Sequence, residues 1–129
     1  MLGSRDATAT VAVKDIGIAR RFYEEKLGLK PLRAEDHGVI TYKTGDSSLL
    51  VYASQFAGTN QATTVTWSVG GEFDDIVRSL QASGVSFEHY DGLPAVARQG
   101  DIHRSGDVKL AWFKDPDGNI HHLISVPSI

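Results

Sequence analysis

Two adjacent histidines near the end of the chain are the residues best suited to chemistry. His121 and His122 follow the segment 115–119, whose sequence Asp-Pro-Asp-Gly-Asn predicts a tight turn between two strands. An imidazole can exchange a proton near neutral pH or bind a metal ion. Neighbouring strand residues point to opposite faces, so this pair cannot ligate one ion without a bulge. Three roles stay open for His122 alone: a hydrogen-bonded histidine with no special task, a group that binds or protonates a ligand, or a metal ligand.

Other residue patterns that carry out chemistry are missing from the sequence. There are no cysteines, which excludes a disulfide, a thiolate zinc site and a cysteine nucleophile. Nucleophile-elbow, phosphate-loop and dinucleotide-binding glycine motifs are also missing. Several acidic residues lie on predicted helices, and we interpret them as charges that face solvent: Glu24, Glu25, Glu72, Asp74 and Asp75.

Composition and charge favour a soluble protein of ordinary type. The 129 residues suit a single domain, residues 1–129. The net charge of −3 and the scattered basic residues do not indicate a basic surface that would bind nucleic acid or an anionic membrane. No apolar run approaches the roughly 20 residues that span a bilayer, and residues 1–6 do not resemble a signal peptide. With no cysteines, these features predict a cytoplasmic location.

Residues 91–106 are predicted to form a long, irregular, glycine-rich loop. The loop carries Arg98, His103 and Arg104. Loops of this length are uncommon unless they are functional or mobile. The segment is either a lid in which Arg98 or Arg104 meets an acidic group of a ligand, or a solvated flexible loop.

Hydrophobic periodicity predicts two copies of one β-α-β-β-β module, about residues 7–56 and 62–127. The predicted strands are 7–13, 29–36, 39–44 and 48–52 in the first module, and 64–69, 85–89, 108–113 and 120–126 in the second. A helix lies between the first two strands of each module. A shift of 56 residues superimposes the following residues: Thr8 on Thr64, Thr10 on Thr66, Val13 on Val69, and Gly28 on Gly84. The apolar stripes of the two predicted helices do not superimpose under this shift. The order and spacing of the strands and helices nevertheless indicate a duplication within an α+β protein.

One face of the first strand of each module carries small side chains with hydroxyl groups. Thr8 and Thr10 alternate with apolar residues, as do Thr64 and Thr66. The apolar residues are expected to pack under the helices. The threonines then line a cavity, or they form a solvated outer face of the sheet.

The last hairpin is predicted to pair Phe113 with Ile120. This pairing places Phe113 on the same face as His122. It places Trp112 on the opposite face beside His121, where a core role for Trp112 is favoured over stacking on a ligand.

These features together resemble the vicinal oxygen chelate superfamily. The similarity rests on the doubled module, on Phe-Tyr at 22–23 before Leu-Gly-Leu at 27–29, and on the turn at 115–119, and it covers about residues 7–126. That superfamily contains glyoxalases, bleomycin-resistance proteins, extradiol dioxygenases, fosfomycin-resistance enzymes and methylmalonyl-CoA epimerases. The resemblance implies a glyoxalase-like fold, in which two tandem βαβββ modules form a curled mixed sheet around a cavity.

Enzymes of this superfamily hold a divalent metal with four side chains, usually histidines and glutamates. The resemblance places those positions at Thr8, Leu49, Thr64 and His122. A threonine hydroxyl is a poor ligand and leucine is none. The resemblance therefore implies no cofactor, and any metal would have to be held by His122 with other partners.

The resemblance implies a metal-independent protein that binds or sequesters a small organic molecule, and it implies a homodimer. The predicted ligand-binding residues are Thr8, Thr10, Thr64, Thr66, Phe113, His122 and Arg98. Two alternatives stay open. One is a metal-dependent enzyme of the glyoxalase, dioxygenase or lyase type. The other is a metal-free isomerase or lyase that uses His122 as a base.

Overall fold

A computed structural model describes residues 1–4, 6–33 and 37–128. The chain divides into two compact units, Met1–Asn60 and Gln61–Ile129. Each unit contains one copy of the predicted module, which confirms the α+β class with two tandem modules. No helix within the described residues is long and apolar enough to cross a membrane.

The first unit is a four-stranded mixed sheet with one helix. Its strands are β1 (Ala9–Val13), β2 (Lys30–Pro31), β3 (Val39–Thr44) and β4 (Ser47–Ala53), in the order β1-β4-β3-β2. β1 and β4 are parallel, and the other pairs are antiparallel. The strand predicted over 29–36 is observed only at Lys30–Pro31, and its residues 34–36 lie outside the described part of the chain.

An aspartate caps the start of the helix in the first unit. α1 spans Ile16–Arg20, and the Asp15 side chain caps it by accepting a hydrogen bond from the backbone N–H of Ile18 at 2.9 Å. A π-helical segment, Arg21–Lys26, continues it. Glu24 in this segment is not simply a charge facing solvent, because it accepts a hydrogen bond from the buried Tyr42 hydroxyl at 2.9 Å.

The second unit repeats this plan with an extended sheet. Its elements are β5 (Thr63–Ser68), α2 (Phe73–Ala82), β6 (Phe87–Glu88), β7 (Ala97–Gln99), β8 (Ile102–Ser105), β9 (Val108–Lys114) and β10 (Ile120–Ile124). The strand order is β5-β10-β9-β8-β7, and β6 also pairs with β9. β5 and β10 are parallel, as β1 and β4 are in the first unit. One apolar stripe of α2 is buried, as its periodicity predicts.

The prediction of an irregular loop over 91–106 is wrong in its second half. β7 and β8 form a hairpin there, and β8 pairs with β9. The two connecting turns are Gly100-Asp101 and Gly106-Asp107, and both glycines have positive φ. Glycine at the first central position suits a tight type II′ hairpin turn. The signal was present in the sequence, since Gly45-Asp46 joins β3 to β4 in the same way, but the short polar strands hid the hairpin.

Candidate functional site

The last hairpin has a different register from the predicted one, and this changes which residues share a face. β9 and β10 pair Lys114 with Ile120, so His122 lies opposite Trp112 and His121 lies opposite Phe113. The prediction that Phe113 shares the face of His122 is therefore wrong. Because strand side chains alternate, an error of one residue exchanges the two faces.

The turn at 115–119 causes this register. Asp115 donates its backbone N–H to the carbonyl of Asn119 at 3.0 Å, and its carboxylate accepts hydrogen bonds from the N–H groups of Asp117 and Asn119. Five residues are thereby enclosed between Lys114 and Ile120. The sequence identified the turn but not which residues close it.

His121 belongs to the core. Its ring stacks on Phe113 with centroids 4.9 Å apart, and both residues are almost completely buried. The indole N–H of Trp67 donates a hydrogen bond to Nδ1 of His121 at 3.0 Å. Burial lowers the pKa of His121 to about 4, so the ring is neutral at physiological pH. Phe113 and His121 thus pack against each other in the core.

The other face of the hairpin carries a group of four ring-bearing residues, which we call the aromatic cluster: Tyr90, His103, Trp112 and His122. Trp112 lies at its centre. The His122 ring stacks on it at 4.6 Å, while the rings of His103 and Tyr90 meet it edge-on at 4.8 and 5.3 Å. The interpretation of Trp112 as a core residue on the face of His121 is therefore wrong.

The histidines of the aromatic cluster are held in the neutral form. Burial lowers the pKa of His122, and the nearby His103 lowers it further. Burial is also the main cause that lowers the pKa of His103, with Arg98 and His89 adding to it and the backbone of Leu110 opposing it. His103 accepts a hydrogen bond at Nε2 from the backbone N–H of Tyr90 at 3.0 Å. At neutral pH the aromatic cluster therefore carries no formal charge.

A β-bulge lies beside the aromatic cluster. Between β5 and β10, Ile120 is beside Thr63 but His121 is beside Val65, so Thr64 is an extra residue on β5. Bulges re-aim side chains and are common next to functional sites. The hydroxyl of Thr64 is buried, whereas Thr66 is exposed beside His122.

A pocket of about 220 Å³ opens at this bulge, and we call it the bulge pocket. Its lining includes Gln61, Thr63, Tyr90, Leu93, Trp112 and Ile120. Four buried polar atoms lie on the residues of the aromatic cluster and the bulge: Oγ1 of Thr64, the hydroxyl of Tyr90, Nδ1 of His103 and Nε2 of His122. None of them has a hydrogen-bond partner among the described residues. Buried polar atoms are normally paired, so each of these four atoms requires an explanation, which a bound polar group would supply.

The threonines of the first unit have different surroundings. Thr8 and Thr10 are exposed, and the Thr10 hydroxyl donates to the carbonyl of Thr8 at 3.2 Å. Thr8 borders a polar pocket of about 290 Å³ together with Asp6 and Asp46. As predicted, the apolar residues Val11 and Val13 of the same strand are buried.

Arg98, predicted to meet a ligand, is already paired. Its Nε and Nη2 donate to the two carboxylate oxygens of Asp91 at 2.8 and 2.9 Å, and Nη1 donates to the carbonyl of Gly100. Arg98 therefore ties β7 to the segment that precedes it. Tyr90, Trp112 and His103 are the residues that sequence reasoning missed. The hairpin turns could have placed His103 on a strand, but no local signal assigns Tyr90.

The metal-ligand position in β4 also needs correction. Thr10 lies beside Leu50 and Thr66 lies beside His122, so Leu50 is the counterpart of His122. Leu49 is instead the counterpart of His121 and is buried in the core of the first unit. The ligand position was misplaced by one residue because the two turns differ in length: two residues precede β4 and five precede β10. Equivalent positions in the two strands therefore lie at different distances from their turns.

The corrected donor set does not suit a divalent metal. It consists of two threonine hydroxyls, one leucine and one imidazole, at positions 8, 64, 50 and 122. One imidazole cannot hold a metal tightly by itself. No group of three or more histidine or carboxylate side chains that could hold a metal ion occurs within residues 1–4, 6–33 and 37–128.

Solved structures with the same fold have diverse functions. A glyoxalase family protein from Enterococcus faecalis has 20% identity and a TM-score of 0.71, covering 96% of this chain and 99% of that one. A lactoylglutathione lyase from Agrobacterium tumefaciens has 17% identity and a TM-score of 0.69, covering 96% and 95%. The fosfomycin resistance protein FosX from Mesorhizobium loti has 12% identity and a TM-score of 0.68, covering 95% and 92%. At these identities the likeness shows the fold.

The family assignment rests on the sequence itself. No curated protein matches the chain. The family model described as Glyoxalase/Bleomycin resistance protein/Dioxygenase superfamily matches residues 6–123. This match covers most of the chain, and the chain therefore belongs to the glyoxalase/bleomycin resistance protein/dioxygenase superfamily.

Proposed function

We propose that this protein binds a small organic molecule in the bulge pocket and that it does so without a divalent metal. The observation that carries the proposal is the set of unpaired buried atoms on Thr64, Tyr90 and His122, next to a pocket with aromatic walls. An unpaired buried polar atom costs about 1–3 kcal/mol, which a ligand that bonds it recovers. Of the residues predicted to bind ligand, Thr64 and His122 are central to this proposal.

Two further features of the proposal rest on the family alone. By similarity to bleomycin-resistance proteins, we propose that the protein is a homodimer and that it sequesters its ligand in the cytoplasm. Roles for Thr8, Thr10 and Thr66 in ligand binding stay predictions. Light scattering of the purified protein tests the dimer directly.

The binding test uses small organic probes that suit a pocket of about 220 Å³. Phenol, indole and benzoate are titrated into the protein by calorimetry, with and without EDTA. We expect at least one to bind equally in both conditions and more weakly to His122→Ala. A Tyr52→Phe variant, which changes an exposed residue of the first unit, is the control. The proposal of metal-independent binding would be overturned if binding needs a stoichiometric metal and His122→Ala loses both the metal and the binding.

One observation also favours a metal-free enzyme. His122 is neutral at pH 7 and its Nε2 lacks a partner within the described residues, as a general base requires. Turnover of S-lactoylglutathione or fosfomycin that is abolished by His122→Ala but unaffected by EDTA would establish this alternative. Turnover lost in EDTA and restored by added metal would instead establish a metal-dependent enzyme.

A further inference from the structure

Two ion pairs involve residues close in sequence to those that line the bulge pocket. Lys114 and Glu88 lie 3.1 Å apart, and Arg98 binds Asp91. None of the described residues that line the pocket carries a charged side chain. A charged ligand would therefore lose its hydration without gaining an opposite charge, which is unfavourable.

The polar atoms available in the pocket region are also uncharged. The hydroxyls of Thr64 and Tyr90 can donate or accept a hydrogen bond, and a neutral imidazole can do either, depending on its tautomer. These atoms suit a ligand hydroxyl or carbonyl. Tyr90 stays a phenol rather than a phenolate, because burial and the nearby Glu88 raise its pKa.

The size and walls of the pocket limit the shape of the ligand. Its volume of about 220 Å³ lies below the roughly 300–1,000 Å³ common for drug-sized ligands. Tyr90 and Trp112 present aromatic surfaces in an edge-to-face pair. Such walls suit one or two fused aromatic rings.

We propose that the bulge pocket takes an uncharged aromatic molecule of one or two rings bearing a hydroxyl or carbonyl group, and that it rejects ionised analogues. This inference rests on the proposed function. Because the unpaired atoms are buried, a ligand can reach them only after a neighbouring side chain moves. Leu93 is the candidate, because it lines the pocket, is 38% exposed and lies outside the strands.

The test compares three probes of nearly equal shape: 2-naphthol, 2-naphthoate and 2-naphthylmethylammonium. Their dissociation constants are measured by calorimetry at pH 7.5. We expect 2-naphthol to bind at least about tenfold more tightly than either ion. Tyr90→Phe and Thr64→Val should each weaken 2-naphthol binding about two- to tenfold, and the control Tyr52→Phe should not. Circular dichroism verifies that each variant is folded. If one of the two variants does not fold, the other still tests the inference.

The outcomes separate this inference from the proposed function. Equal or tighter binding of 2-naphthoate, or failure of 2-naphthol to bind, would overturn the inference about the ligand. If an ion binds and that binding depends on Tyr90, the proposed binding site still stands. If 2-naphthol binds but neither Tyr90→Phe nor Thr64→Val weakens it, the ligand lies elsewhere and both proposals fail.

Discussion

The rings of Trp112 and His122 are stacked, with centroids 4.6 Å apart and planes inclined by 13°. The two residues lie opposite each other on β9 and β10, and Trp112 also lines the bulge pocket. This contact joins a histidine that the family resemblance predicts at a metal-ligand position to the wall of a pocket. It makes the indole a direct reporter of the charge on His122.

Protonation of His122 should quench Trp112. In a Trp67→Phe variant, which leaves Trp112 as the remaining tryptophan, we expect the emission to fall as the pH decreases below 6.5, since the pKa of His122 is lowered. The physical reason is that an imidazolium in contact accepts an electron from the excited indole. Adding His122→Asn should abolish the transition. If His103→Asn abolishes the pH transition and His122→Asn does not, the quenching comes from the edge-on contact of His103, and the prediction is contradicted.

His121 should make the protein less stable in acid. The folded state keeps His121 neutral down to about pH 4, whereas the unfolded chain protonates it near pH 6.5. The unfolded state therefore binds more protons below pH 6.5, and the free energy of unfolding should fall by about 3 kcal/mol between pH 6.5 and 4 on this account. Urea denaturation at pH 7 and pH 4 measures the loss. His121→Gln should reduce it, while Tyr52→Phe, which changes an exposed residue and keeps the titrating ring with its contacts, should not. An unchanged pH dependence in His121→Gln would refute the assignment.

Gly118 should resist substitution because of its backbone conformation. Its φ is +89°, and an added Cβ would meet no atom within 4 Å, so only the backbone strain would act. Gly118→Ala should lower the free energy of unfolding by about 1–2 kcal/mol. Gly71→Ala is the matched control, because Gly71 has equal space without a positive φ, and it should change stability by less than about 0.5 kcal/mol. Similar losses in both variants would contradict this explanation.

Arg98 should hold the segment that carries Leu93. Its two-pronged contact with Asp91 depends on the planar guanidinium, which lysine cannot reproduce. In Arg98→Lys we expect the amides of residues 92–96 to exchange hydrogen faster, as measured by mass spectrometry. Arg78→Lys is the control, since Arg78 pairs with Asp75 within α2. Unaltered exchange over 92–96 would show that other contacts hold the segment.

Local chemistry was sufficient to predict much of the fold. Asp15 caps α1 through a contact with a residue three positions later, and the alternation in β1 buries Val11 and Val13 while leaving Thr10 exposed. The turn at 115–119 and the repeated modules were also found, because caps, turns and hydrophobic periods depend on neighbouring residues. The β7–β8 hairpin was missed because its polar strands lack an apolar pattern, although its glycine turns were visible.

The sequence by itself determined the two repeated modules and, through the family resemblance, predicted that His122 occupies a ligand position without enough other donors for a metal. Only the tertiary structure decided its neighbours: Trp112 instead of Phe113 opposite it, and the bulge at Thr64 beside it. The physical reason is that register depends on which residues close a turn and on how strands pair across long distances. A slip of one residue exchanges every side chain between core and pocket.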